Sequence, residues 1–296
     1  MKDAPDDITG VSMEISAQPG LESLVANGEY AGKPLTRMME LWGEALTGTA
    51  GDEFPLLLKL LDVTQPFSVQ VREGRNEAWV ILNAEPGARI VYGMDTDGES
   101  LEKIVADGAI ESHLHWESVQ PGDVFYIPAG MIHAIGEGVF CYEIEETDDK
   151  AWRLWDWNRV DANGNARELH TAEAIAAADA DRRLSKNEGT TVLCKGGSRT
   201  YYISDGHIEL CRLNLSGTMP LESGRMLCLT PMSACELHWG DETLELKPFD
   251  TVLVPAALGD VSLKGNTKVL MSSLSARESL IEALGYRAEN VDGLVD

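Results

Sequence analysis

Apolar and polar residues alternate with a period of two through much of the chain, most clearly in SVQVREGRNEAWVIL (68–82). Two alternating runs flank EGRN, which predicts a β-hairpin closed by a four-residue turn. Alternation sets Ser68, Gln70 and Arg72 on one face and Val69 and Val71 on the other, while Glu77 and Trp79 open the return strand. Arg72 and Glu77 therefore flank the turn. FPLLLKLLDV (54–63) reads as a buried strand, 88–94 as another, and 119–146 as strand broken at PAG and between Gly136 and Gly138. Helical spacing marks 35–46, ESLEKIVADG (99–108) ending at Gly108, and TAEAIAAADADRRL (171–184) with Thr171 as its N-cap. Short strands return across 191–274, and SARESLIEALGY (275–286) reads as a closing helix.

A weak internal repeat organises these elements. PGDVFYIPA (121–129) and PFDTVLVPA (248–256) share Pro-x-Asp, four residues, then Pro-Ala, each a turn leading into a strand that proline stops. The expected organisation is mainly β, with a first β-domain over 1–190, a smaller second β-domain over 191–274, and a C-terminal helix and tail over 275–296. Helices 35–46 and 171–184 are expected on the outside of the first domain. The chemistry of the two copies differs: five residues past the second proline stands His133 in one and Asp260 in the other.

The chain has 296 residues and a formal net charge of −25. Nucleic acid and anionic membranes need a basic surface, so neither is an expected partner, whereas a small anion needs only a few local cations. The longest apolar runs are too short to span a bilayer, and MKDAPDDITG lacks the apolar stretch of a secretory signal. Five cysteines without a CxxC spacing read as free thiols of a reducing cytoplasm.

Candidate chemistry gathers at GDVFYIPAGMIH (122–133), which fits G-x5-P-x-G-x2-H, the second motif of the cupin β-barrels. Gly122 opens a strand, Pro128 and Gly130 turn the chain, and His133 is aimed back at the barrel mouth, where imidazole commonly holds a divalent metal. Gln70, Arg72 and Glu77 are the natural companions. His113 and His115 share a strand face but lie in a polar stretch and read as surface; His207 and His238 lack ligand-like neighbours and read as structural. Lys59 sits inside an apolar strand, where lysine is rarely buried unpaired; snorkelling to the surface is the bland alternative. Arg153, Arg159 and Arg167 form a cationic cluster that Asp149, Asp156 and Asp161 could neutralise.

Over most of its length the chain resembles the type I mannose-6-phosphate isomerases in their short bacterial form. FPLLLKLLDVTQPFSVQV is similar to the family's FPLLVK and LSVQVH stretches, NEAWVILNAEPGARIVYG to its TECW and DAEPGA stretches, and YEIEETDDKAWRLWDWNRVDANGNARELH to its EIQQ, SDTTYR and YDWDRVDANGK-RELH stretches. The resemblance implies a cupin fold and the interconversion of mannose 6-phosphate and fructose 6-phosphate, by proton transfer between C1 and C2 through a cis-enediol. It implies a divalent metal, usually zinc, held by Gln70, Glu77 and His133, with Arg153 and Lys59 catalytic and Arg75 and Arg159 binding the sugar phosphate. Two departures stand out. The family's QVH is QVR here, so its fourth ligand position is Arg72, and the longer family segment before TECW has shrunk to EGRN.

A guanidinium has no free lone pair and stays protonated, so Arg72 cannot ligate a metal. Two arrangements follow. Either Arg72 pairs with Glu77 and takes the metal's place, leaving a metal-poor cupin that binds a sugar phosphate with weak or no turnover, or Gln70, Glu77, His133 and water hold zinc in a working isomerase.

Overall fold

The computed structural model describes residues 10–147 and 150–275. The expected helix at 275–286 lies, apart from Ser275, outside the described residues. The fold is mainly β, as the alternation predicts, and its sheet pairings are antiparallel.

Ten strands build two five-stranded sheets. They are β1 (Val11–Ile15), β2 (Leu56–Val63), β3 (Val69–Arg72), β4 (Glu77–Ala84), β5 (Arg89–Met94), β6 (Leu114–Ser118), β7 (Val124–Ile127), β8 (His133–Ile135), β9 (Val139–Glu146) and β10 (Ala151–Trp155). One sheet runs β1-β2-β9-β4-β7 and the other β10-β3-β8-β5-β6. A further ten strands, from Thr190–Cys194 to Lys268–Leu274, make a six-stranded and a four-stranded sheet. Sheet membership thus changes between residues 155 and 190.

The compact units divide differently. One comprises Met1–Lys59, Ile144–Thr147 and Glu188–Asp296; the other comprises Leu60–Glu143 and Asp148–Asn187. The boundary passes through β2 and β9. Within the second of these units, Trp79, Ile81, Ile90, Tyr92, Phe125 and Ile127 fill the space between the sheets. Val69 and Val71 face away from it and meet Leu154, Ile104 and Ala174 under the helices α3 (Leu101–Ala106), α4 (Ile110–His113) and α5 (Thr171–Ala177). Alternation along β3 therefore separates a polar row, Ser68, Gln70 and Arg72, from an apolar one. In the other unit, Leu213, Leu229, Leu237, Leu263 and Met271 anchor a second core.

The expected hairpin at 68–82 does not form. β3 pairs with β10 and β8, whereas β4 lies between β9 and β7 in the opposite sheet. Alternation specifies two half-buried strands but not which partner each one takes. Here EGRN carries the chain from one sheet to the other.

Helix lengths also differ from the pattern. Residues 35–46 split into Leu35–Trp42 and Glu44–Thr47 because Gly43 adopts φ 46° and its N–H bonds the Met39 carbonyl. Both pieces belong to the unit that includes residues 188 onward, where a Cβ on Gly48 would lie 3.1 Å from the Gly224 carbonyl oxygen. Helix α5 stops at Ala177, and Thr171 is its first helical residue rather than its cap. The Asp179 N–H bonds the Gly130 carbonyl instead of continuing the helix. In α3 the Ser100 hydroxyl caps the Lys103 N–H.

The internal repeat has a backbone counterpart. The middle residue of each Pro-x-Asp turn is left-handed, Gly122 at φ 99° and Phe249 at φ 64°. Glycine adopts that conformation without strain, and the second copy holds it with a bulky residue.

Candidate functional site

The register of the second sheet builds the site. Arg153 on β10 pairs with Gln70 on β3, Gln70 pairs with His133 on β8, and His133 pairs with Tyr92 on β5. Directly paired residues project to the same face, so four strands deliver one row of side chains. Glu77 enters from β4 of the opposite sheet, opposite Ile127.

Backbone contacts hold the two turns that aim these groups. The Gly130 N–H bonds the Arg72 carbonyl at 2.9 Å, and the Ala129 N–H bonds the Asn76 side chain at 3.0 Å. The PAG turn before His133 is thereby tied to the crossover between Arg72 and Glu77. Gly130 has φ 83°, and a Cβ there would meet the Ala177 carbonyl oxygen at 3.0 Å, so both conformation and space call for glycine.

Gln70, Glu77 and His133 converge. His133 Nε2 lies 3.1 Å from Glu77 Oε1 and 3.1 Å from the Gln70 side-chain amide. His133 and Glu77 are fully buried, with both relative exposures at 0%. His133 Nδ1–H donates to the Met131 carbonyl at 2.8 Å, so Nε2 is the ring nitrogen that faces both Glu77 Oε1 and the Gln70 amide nitrogen. Glu77 Oε1 accepts no hydrogen bond. A metal ion between Nε2 and Oε1 would satisfy that oxygen. Donors on one ion, at ordinary zinc–nitrogen and zinc–oxygen distances, are about 3.3 Å apart in a tetrahedron and ~2.9 Å in an octahedron. The observed spacing of 3.1 Å falls within that interval, and a backbone carbonyl on the far nitrogen is the usual orienting partner of a ligating imidazole. The set fits a divalent cation.

Arg72, only 3% exposed, donates from Nε to the other carboxylate oxygen, Glu77 Oε2. Glu143 is the residue that sequence reasoning missed. Its carboxylate lies within 4.8 Å of that of Glu77, Trp79 Nε1–H donates to it at 2.8 Å, and Trp79 packs edge-on against His133. A buried carboxylate in the alternating run CYEIEE was the available signal. Burial pushes the neighbouring Cys141 thiol far up, aided by Glu143 and Glu77, so it is not a thiolate.

A cationic cluster adjoins the start of β3. Arg153 donates to the Ser68 hydroxyl at 3.1 Å and to the Glu168 carbonyl at 2.6 Å; Arg167 donates to Ser68 at 3.2 Å. Ser68 donates to Asp156 at 2.6 Å, and Arg159 pairs with Asp156 and donates to the Pro66 carbonyl at 2.7 Å. Burial raises the Asp156 carboxyl, but hydrogen bonds from Arg159 and Ser68 outweigh it and hold the group below its usual range. Burial, then the Arg167 charge, draws the Arg153 guanidinium down from its usual value. Arg75 is half-buried in the EGRN turn. Lys59 is buried in the other unit as an ion pair with Glu145 rather than snorkelling. Among the described residues, His113 Nδ1 bonds the Asp95 carbonyl and His115 Nδ1 the Asp95 carboxylate, and both residues are half-buried.

A model of the phosphomannose isomerase type I catalytic domain matches residues 5–92. Mannose-6-phosphate isomerase ManA of Bacillus subtilis is 30% identical over 286 residues, covering 91% of this chain and 91% of that protein. The chain belongs to the type I phosphomannose isomerases. A mannose-6-phosphate isomerase of Streptococcus mutans is 28% identical over 285 residues, covering 91% and 90% of the two chains. The crystal structure of the Bacillus subtilis mannose 6-phosphate isomerase superposes with a TM-score of 0.82, at 30% identity and 89% coverage of each chain. Within this family of isomerases the present chain sets an arginine against its site glutamate.

Proposed function

We propose that the protein is a working mannose-6-phosphate isomerase that interconverts mannose 6-phosphate and fructose 6-phosphate, with a divalent metal, zinc in our reading, held by Gln70, Glu77 and His133. The observation that supports this best is that His133 Nε2 lies 3.1 Å from both an unsatisfied Glu77 oxygen and the Gln70 amide, with Arg153 in the same strand row as Gln70 and His133. Held by Gln70, Glu77 and His133, a divalent metal would supply Lewis-acid stabilisation of negative charge on the substrate oxygens. The protein's own groups supply the surrounding positive charge. Arg153, held at Ser68 and the Glu168 carbonyl, presents a fixed positive charge where negative charge grows on oxygen during proton transfer. Arg159, Arg167 and Arg75 supply the cationic surroundings that a phosphate monoester requires in a chain of net charge −25. Lys59 is a catalytic candidate on the resemblance, held in place by its ion pair with Glu145.

The reading carries a cytoplasmic setting: the five cysteines are free, and among the described residues no helix is long and apolar enough to cross a membrane. Nucleic acid is not a partner we propose. The test is a coupled assay of fructose 6-phosphate formation from mannose 6-phosphate, on protein supplied with zinc and on chelator-treated protein. We expect turnover that the chelator abolishes and zinc restores. No turnover by zinc-supplied, folded protein would overturn the proposal.

A further inference from the structure

We propose that Arg72 is the residue that sets the strength and composition of the cation site, acting through Glu77. It rests on the metal-site part of the reading above. The two oxygens of Glu77 are divided: Oε2 accepts from Arg72 Nε, whereas Oε1 faces His133 Nε2 at 3.1 Å and accepts no hydrogen bond. Arg72 therefore holds the carboxylate to one available oxygen and fixes where it points. It also brings a permanent positive charge to within one carboxylate of the cation. The groups that face this point are one imidazole nitrogen, one Glu77 oxygen and the Gln70 amide, which can present oxygen or nitrogen, with the Glu143 carboxylate within 4.8 Å of that of Glu77.

The geometry distinguishes this from displacement of the ion. A guanidinium lodged in the ion's place would meet His133 Nε2 or both oxygens of Glu77. Arg72 Nε bonds Glu77 Oε2, and it is the other oxygen, Oε1, that faces His133. A protonated guanidinium has no free lone pair for a metal ion, so the side chain acts as a positioning group and as a counter-charge, not as a ligand. The cation site so built has the His133 imidazole beside Glu77 and a guanidinium, not a second imidazole, at position 72.

The test is binding of Co2+ to chelator-treated full-length protein by calorimetry, with pulsed electron paramagnetic resonance of the Cu2+ form to count coordinated imidazoles. Turnover is not needed, so failure of the isomerase assay and failure of this inference are distinguishable. We expect one Co2+ per wild-type chain, one imidazole nitrogen, and loss of binding in Glu77→Gln. Arg72→His should bind Co2+ at least tenfold more tightly and show two imidazole nitrogens. No binding by the wild type would overturn the inference, as would binding retained in Glu77→Gln. Equal affinity in wild type and a folded Arg72→His would do the same. If Arg72→His does not fold, the stoichiometry and the imidazole count of the wild type decide alone.

Discussion

Replacing Arg72 by methionine retains an apolar stem of similar reach and removes the charge. Glu77 is then a fully buried carboxylate without its guanidinium, since the pair is 3% and 0% exposed and solvent cannot substitute. Removing one partner of such a pair costs about 3–5 kcal/mol. With roughly 2.1 cal/mol/K of unfolding entropy per residue over a chain of 296 residues, this corresponds to a Tm lower by about 5–8 °C if the units unfold together. The assay is calorimetric melting at neutral pH in excess chelator. The companion variant Arg72→Met/Glu77→Gln should recover more than half of the loss, because the penalty comes from the abandoned carboxylate and not from the missing arginine. Added zinc should narrow the gap between Arg72→Met and wild type, since the ion neutralises Glu77 by another route. A Tm within about 2 °C of wild type in chelator would refute the reasoning, because ~1 kcal/mol or less is what an exposed pair contributes.

Arg153→Ala should lower kcat by about 10²–10³-fold with the melting temperature little changed, as expected of a charge that stabilises developing negative charge; an unchanged kcat would remove Arg153 from the chemistry. Asp156 has a folded pKa below its usual 3.8, so its contribution is present above that value and lost as pH falls through the lower folded value. Melting followed from pH 6 to pH 2 should show this acid loss reduced in Asp156→Asn, and identical slopes for the two proteins would contradict it. Gly130→Ala should destabilise by more than about 1 kcal/mol, through its positive φ and the Ala177 carbonyl 3.0 Å from the new Cβ, which denaturant titration can read.

Much of the site was legible because its residues obey a period of two. Gln70 and Arg72 project together because they are two apart on β3, and the G-x5-P-x-G-x2-H spacing returned His133 to the row. What alternation could not supply was pairing. It carries no record of which strand lies alongside, so the run 68–82 suggested a hairpin although its halves belong to opposite sheets. Glu143 was obscured for a related reason. In CYEIEE several carboxylates crowd a short strand, and only the tertiary structure shows which meets Trp79 and Glu77. Helix α5 ended early because the Gly130 carbonyl, 49 positions before Asp179 in the chain, captured an N–H that local propensity assigned to the helix.

The EGRN segment has a different freedom from that of a hairpin turn. In a hairpin, turn length and strand register are locked together, and one added residue flips every side chain beyond it. Here β3 takes its register from β10 and β8, and β4 from β9 and β7, so the segment between them determines no ladder. Its length can change while Gln70 and Glu77 keep their places. Chain added there costs little, roughly 0.6 kcal/mol for each doubling of loop length. The barrel thus has a splice point beside its most demanding geometry, where a covering loop can be lengthened or trimmed while the strands beneath it are undisturbed.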